Sequence, residues 1–204
     1  MYQMPISKSL LAMASLLFAN AVFAADIDAS RLSETTVDIN DVSQSGVAGK
    51  SFIAGTIIDA PVAKLCPIIE NYADYPSFMP NTDKAVIVQA ADAATVVDMT
   101  LKLPLGKIKK YRLRMEAKNG AQACHLAWKM LPRPELTPEE TIADTSGYWD
   151  LQVLASNKNK TVVKYFVYSD PGPVPMGLGW IVDSLGKDSL PKTLEALRSK
   201  ARAH

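Results

Sequence analysis

The chain has 204 residues, 48% hydrophobic and 21% charged, with 22 basic side chains against 21 acidic. That length suits one domain with a sizeable core. The even charge argues against a partner that needs a basic face, nucleic acid above all.

Residues 1–24 read as a secretion signal, outside the fold. Lys8 supplies a positive start, residues 10–18 form a compact apolar run, and Val22-Phe23-Ala24 puts small residues at the −3 and −1 positions. Cleavage is therefore expected before Ala25. The apolar run is shorter than the roughly 20 residues a membrane span needs. Residues 25–204 are expected as a single exported domain, periplasmic or secreted. In an oxidising compartment Cys66 and Cys124 can pair if their elements touch. The plainer reading is two buried thiols acting as small hydrophobes.

Residues 35–40 and 50–58 read as strands joined in a hairpin through Gln44-Ser45-Gly46. Asp59-Ala60-Pro61 stops the second, and Pro61 suits a first helical turn, where its missing N–H would be unpaired. Pro67 removes a hydrogen bond further in, so residues 61–72 are expected as two short helical pieces broken at Cys66. Two Tyr-containing turns follow, over 71–74 and 75–80, and then a strand over 84–89.

Three alternating runs come next: Val97, Met99, Leu101 and Leu103; Tyr111, Leu113, Met115 and Ala117; Cys124, Leu126, Trp128 and Met130. Asp98, Arg112, Arg114, Glu116, His125 and Lys129 occupy the intervening positions. Period two with one charged face marks antiparallel strands covered on one side. Asn119-Gly120 signals the turn between the second and third runs.

Residues 131–147 hold three prolines and four acids without periodicity. They form a long surface loop, either a lid or a tolerated insertion. Strands resume over 148–154 and 160–168, with Ser156-Asn157-Lys158-Asn159 as the turn. Leu178, Ile181, Val182 and Leu185, then Leu190, Leu194, Leu197 and Ala201, predict a final helix over 175–201. Pro191 implies a kink or restart near Lys187-Asp188-Ser189, where Asp188 or Ser189 can cap. The class is α+β, an antiparallel sheet with helices on one face.

The strand, the Ala-Pro start, the amphipathic helix and the run Tyr72 to Tyr75-Pro76-Ser77-Phe78-Met79-Pro80 together resemble the opening of START-like domains. The resemblance is to the SRPBCC helix-grip superfamily, in particular its polyketide cyclase and coenzyme Q-binding branch. Gly147-Tyr148-Trp149-Asp150-Leu151 resembles the family's GxWxL strand, and Val163-Lys164-Tyr165 is similar to its xVxY strand. Leu190-Pro191-Lys192-Thr193-Leu194-Glu195-Ala196-Leu197-Arg198 resembles its LPxTLxxLR helix. Cys66-Pro67 departs from the pattern, standing where a bulky aromatic is more usual. The resemblance implies a curved sheet wrapped around a long C-terminal helix, with a cavity between them for an apolar ligand. The family holds carriers and a minority of enzymes, so the fold does not fix the chemistry.

Catalytic signals are sparse. His204 is terminal, and His125 falls on the strand face opposite Cys124, Leu126 and Trp128. No ligand spacing suits zinc, and Gly177-Leu178-Gly179 is too short for a phosphate loop. No catalytic residue, metal or cofactor is assigned. A binding site needs a concave apolar wall with a few polar groups. Met115, Trp128, Met130 and Trp149 on the inward strand phases and Trp180 on the last helix are the expected ligand contacts. Tyr72, Tyr75, Phe78 and Met79 are expected at the mouth. The plainer reading makes all of them core.

The expected function is an exported, non-enzymatic binding or carrier protein for a lipid, isoprenoid quinone or similar hydrophobic small molecule. Such a carrier touches a membrane transiently to exchange its ligand. The alternatives are a START-like cyclase-type enzyme using a cavity tyrosine or acid, and an interaction module docking through the 131–147 loop.

Overall fold

The computed structural model describes residues 26–91, 93–172 and 187–203. Within them, eight strands form one antiparallel sheet in the order β1-β2-β8-β7-β6-β5-β4-β3. They are β1 (Asp38–Asp41), β2 (Lys50–Ile58), β3 (Thr82–Ala91), β4 (Ala94–Lys102), β5 (Ile108–Asn119), β6 (Ala123–Leu131), β7 (Asp144–Leu154) and β8 (Asn157–Asp170). The β1–β2 connection turns at Ser45-Gly46. Gly46 has φ +80° there, a conformation that costs glycine nothing. Helices α1 (Val62–Glu70) and α2 (Tyr75–Phe78) carry the chain from β2 to the far edge. From β3 the strands meander until β8 pairs with β2.

Successive strand side chains point to opposite faces, so the register decides what meets inside. Met115 stands opposite Trp128, Trp128 opposite Gly147, Trp149 opposite Tyr165, and Phe52 opposite Val167. Arg112, Arg114, Glu116 and His125 occupy the other phase, on the outer face.

The C-terminal helix α3 (Ser189–Ala203) packs against α1, α2 and β2 on the inner face. Leu190, Leu194, Leu197 and Ala201 are each at most 2% exposed. Pro191 lies in its first turn, where no intrahelical N–H is needed. The buried Arg198 fastens α3 to β2: Nη2 donates to Thr56 Oγ1 at 2.7 Å and to the Ile57 carbonyl at 3.3 Å. Its other nitrogen pairs with Glu195. A buried cation is tolerated when its donors are met in this way. The helix starts at the expected restart, whereas residues 175–186 of the expected run, Trp180 included, lie outside the described residues.

Several expectations are corrected. α1 does not break at Cys66, and Pro67 sits inside it. The bond Pro67 removes is the one to the Ala63 carbonyl, and both residues lie on the exposed side, where water replaces it. The buried face of Leu65, Cys66, Ile68 and Ile69 keeps the helix docked. It ends instead at Asn71, whose N–H reaches the Pro67 carbonyl at 3.1 Å. A 3-10 turn, Tyr72–Asp74, then leads into α2.

The β7–β8 turn falls at Ala155-Ser156, and Asn157 already begins β8. β7 starts earlier than expected, at Asp144, because Ala143 N–H bonds the Asp170 carbonyl at 2.9 Å and prolongs the pairing. Asn119 ends β5, and Gly120, whose N–H bonds the Ala123 carbonyl at 2.8 Å, opens a three-residue link to β6.

Cys66 and Cys124 form a disulfide, which overturns the two-thiol reading. α1 lies across β6, a contact between segments far apart in the chain. On the outer face, residues 26–32 pack back against the sheet. Ile27 and Leu32 cluster with Ile53 and Val162, and Asp26 pairs with Lys164.

Candidate functional site

A cavity of about 180 Å³ lies between the concave sheet face and α3. Phe52, Met115, Trp128, Trp149 and Tyr165 form its sheet wall, while Leu190 and Thr193 face them from α3. It reaches the end of the sheet where β2 and β5 begin and β4 and β8 finish. Lys50, Leu103, Lys109 and Ser169 border it there, together with Met79 to Thr82.

Local sequence explains the wall. Trp128 and Gly147 are cross-strand partners. A Cβ on Gly147 would collide with the Trp128 ring and the Phe166 carbonyl. Glycine thus lets the indole lie flat on β7, the close approach that a strand glycine permits. Tyr165 completes the cluster, its ring centroid 4.3 Å from Trp149 and 5.4 Å from Trp128.

Most deep polar groups of the cavity are satisfied by the fold. Tyr75 donates its hydroxyl to the Ile69 carbonyl at 2.6 Å. Thr193 donates to the Ser189 carbonyl at 2.9 Å, and Thr145 to that of Tyr168 at 2.7 Å. Burial pushes the phenols of Tyr75, Tyr111 and Tyr165 well above their ordinary range. Tyr72 is raised to about 12 by burial and, secondarily, by the charge of Glu70. All four are neutral donors at physiological pH.

Among the described residues that line the cavity there is no carboxylate and no imidazole. Of the lining cations Lys50 and Lys109, Lys109 is engaged: its ammonium donates to the carbonyls of Pro138 at 3.2 Å and Thr141 at 2.6 Å. Burial lowers its pKa. These bonds pin the 132–143 loop, which is also held by the Lys110 N–H bond to the Glu140 carbonyl at 2.8 Å. From that loop Ile142 contributes to the cavity lining.

Five expected contacts come together on the lining: Tyr75, Met79, Met115, Trp128 and Trp149. Three do not. Tyr72 and Phe78 pack edge-on against Tyr75 at 5.8 and 5.6 Å, one layer outside, and Lys200 Nζ lies 5.9 Å from the Phe78 ring. Met130 sits opposite Leu113 near the end of β6, half-buried against the core. Phe52, Met99, Tyr111, Leu113 and Tyr165 line the cavity without having been singled out. Strand phase would have found two of them, since Tyr111 and Leu113 alternate with Met115.

His125 lies on the outer face as expected, stacked on Tyr148 at 5.3 Å with Nδ1 3.7 Å from Asp150. Cys66, Cys124 and Glu70 converge, but the two sulfurs are bonded to each other and Glu70 accepts from Asn119 Nδ2 at 2.7 Å.

No family model matches the sequence, and no curated relative matches it. Solved structures do. A STAR-related lipid transfer protein from Xanthomonas axonopodis is 17% identical with a TM-score of 0.68, over 88% of this chain and 97% of that one. Human StAR-related lipid transfer protein 5 is 13% identical with a TM-score of 0.70, over 84% of each chain. An aromatase/cyclase from a Streptomyces species is 13% identical with a TM-score of 0.60, over 81% of this chain and 94% of that one. At these identities the likeness establishes the fold: α+β, START-like, a helix-grip sheet with two short early helices and a C-terminal helix.

Proposed function

We propose that the protein is an exported binding or carrier protein for a hydrophobic small molecule held between the sheet and α3. The observation that carries this reading is the aromatic cavity, whose lining among the described residues has neither carboxylate nor imidazole for acid–base work. Its 180 Å³ lies below the roughly 300–1,000 Å³ of drug-sized pockets. It exceeds the roughly 150 Å³ cavity that takes up benzene. The occupant is therefore a ring-sized molecule, or the ring of a longer lipid whose tail leaves by the mouth. Met79, Leu101 and Lys50 around that mouth suit brief contact with a membrane during exchange, with the lysine stem lying along apolar surface. The lipid transfer proteins of the same fold support the reading.

Export is supported by the signal-like order of residues 1–24. The Cys66–Cys124 disulfide, of a kind that persists in oxidising compartments, supports it too. Native mass spectrometry before and after solvent extraction tests the function. The expected result is an apolar molecule that co-purifies and is lost on extraction. A protein that is empty on isolation and takes up no apolar probe would overturn the reading.

A further inference from the structure

We infer that the outer face of the β4–β5 hairpin, with Lys84 beside it on β3, docks the protein onto a bilayer that carries anionic phospholipid. The inference rests on the carrier reading and deepens it, naming the surface that meets the membrane and the lipid charge it requires.

The charge of the chain is even overall but not locally. From Met99 to Met115 it holds Lys102, Lys107, Lys109, Lys110, Arg112 and Arg114 and no acid. The register sorts these cations. Lys84, Thr100 and Lys110 stand side by side across β3, β4 and β5, and Lys102 stands opposite Ile108 in the next row. Alternation puts Lys102, Ile108 and Lys110 in the outer phase with Arg112. Leu101 and Lys109 take the inner phase and line the cavity. The turn between the strands is closed by the Leu103 N–H bond to the Lys107 carbonyl at 2.7 Å, and Leu103 also lines the cavity. One hairpin thus has the cavity mouth on its inner side and lysines on its outer side.

Arg112 is engaged by Asp98, Arg114 by Glu116 and Lys109 by the 132–143 loop. Lys84, Lys102, Lys107 and Lys110 are exposed, and among the described residues none of them forms a salt bridge. Of the acids on the neighbouring loop, Glu135 pairs with Arg133, Glu139 acts on Lys109, and Glu140, near Lys110, accepts the Thr137 N–H at 3.0 Å. The apolar content favours a bilayer over an acidic protein. Ile108 is 41% exposed and Val86 53% exposed beside these lysines, and lysine stems also lie along the apolar boundary of a membrane. Docking on this face sets the mouth against the lipid.

The test is co-sedimentation of the purified protein with vesicles of phosphatidylcholine alone and of phosphatidylcholine mixed equally with phosphatidylglycerol. Strong preference for the mixed vesicles is expected, and it should weaken with added salt. Each lysine at an anionic surface strengthens binding about fivefold, so Lys84→Gln/Lys102→Gln/Lys107→Gln should bind the mixed vesicles about a hundredfold more weakly. Its melting temperature should not change, since no salt bridge is lost. The control Lys64→Gln/Lys118→Gln/Lys158→Gln removes the same charge at the opposite end of the sheet and should bind as the wild type does. Ile108→Ser should weaken vesicle binding at unchanged charge. Equal binding to both vesicle types overturns the inference, as does an equal loss in the control variant. Wild-type binding by Ile108→Ser, with soluble polyglutamate competing as well as the vesicles do, overturns it in favour of an acidic protein partner. Ligand retention, read by native mass spectrometry, reports on the carrier reading separately. A protein that keeps its apolar ligand but shows no vesicle preference loses this inference alone.

Discussion

Trp128 is 9% exposed, packed over Gly147 across the strand pair and against Tyr165, with the cavity on its remaining side. It serves core and site together, so Trp128→Ala should have two effects. Stability should fall by roughly 3–5 kcal/mol, as when an aromatic is deleted from a packed site. The enlarged cavity should also retain its apolar ligand less well. Denaturant melts and ligand retention measure these separately. Lost stability with unchanged retention would place Trp128 in the core alone. Gly147→Ala acts from the opposite side, because its Cβ falls within the indole and the Phe166 carbonyl. Overpacking of this kind costs roughly 1–3 kcal/mol. The ring must also shift, so tryptophan emission should change along with the melting temperature. A variant matching the wild type in both would mean that the indole has room to spare.

At the scale of elements, two ties hold the layers. The disulfide joins α1 to β6 across a separation of 58 residues. Opening a loop of that size costs roughly 2–4 kcal/mol, mainly by freeing the unfolded chain. A Cys66→Ala/Cys124→Ala variant should therefore melt lower yet still fold, since Leu65 and Ile69 keep α1 docked. An unchanged melting temperature would show that the bond adds nothing. The second tie is Asp98 on β4. It accepts from Arg112 at 2.6 and 2.9 Å and pairs with the loop residue Arg133 at 3.0 Å. The Arg112 hydrogen bond holds the Asp98 carboxyl below its usual range, with the charges of Arg133 and Arg112 assisting. The folded pKa is thus lower than the unfolded one. The contribution is complete above the unfolded value of about 3.9 and lost as pH falls through the folded value. For a half-exposed network it amounts to no more than about 1 kcal/mol. The stability gap between wild type and Asp98→Asn should close from pH 6 towards pH 2, and a gap that widened would contradict this sign.

For the molecule as a whole, the proposed export predicts a recovered chain with the mass of residues 25–204, and recovery of intact residues 1–204 from the membrane pellet would refute cleavage. Asp26 and Ile27, the first described residues, already engage the outer face of the sheet. Alternation in β4 to β8 and the spacing of Leu190, Leu194, Leu197 and Ala201 were enough to determine an antiparallel sheet with a helix on its apolar face. Those periodicities are local, imposed by two residues per pleat and 3.6 per helical turn. They say which way a side chain points but not how deep it lies. Depth depends on register between distant strands and on how the sheet curves. That is why Tyr75, Met115, Trp128 and Trp149 reach the cavity while Tyr72, Phe78 and Met130 stop one layer short. The same non-local packing brought Cys66 to Cys124 and put Tyr111 and Tyr165 around one space. No spacing along the chain records such meetings, because they arise only when elements far apart in sequence come into contact.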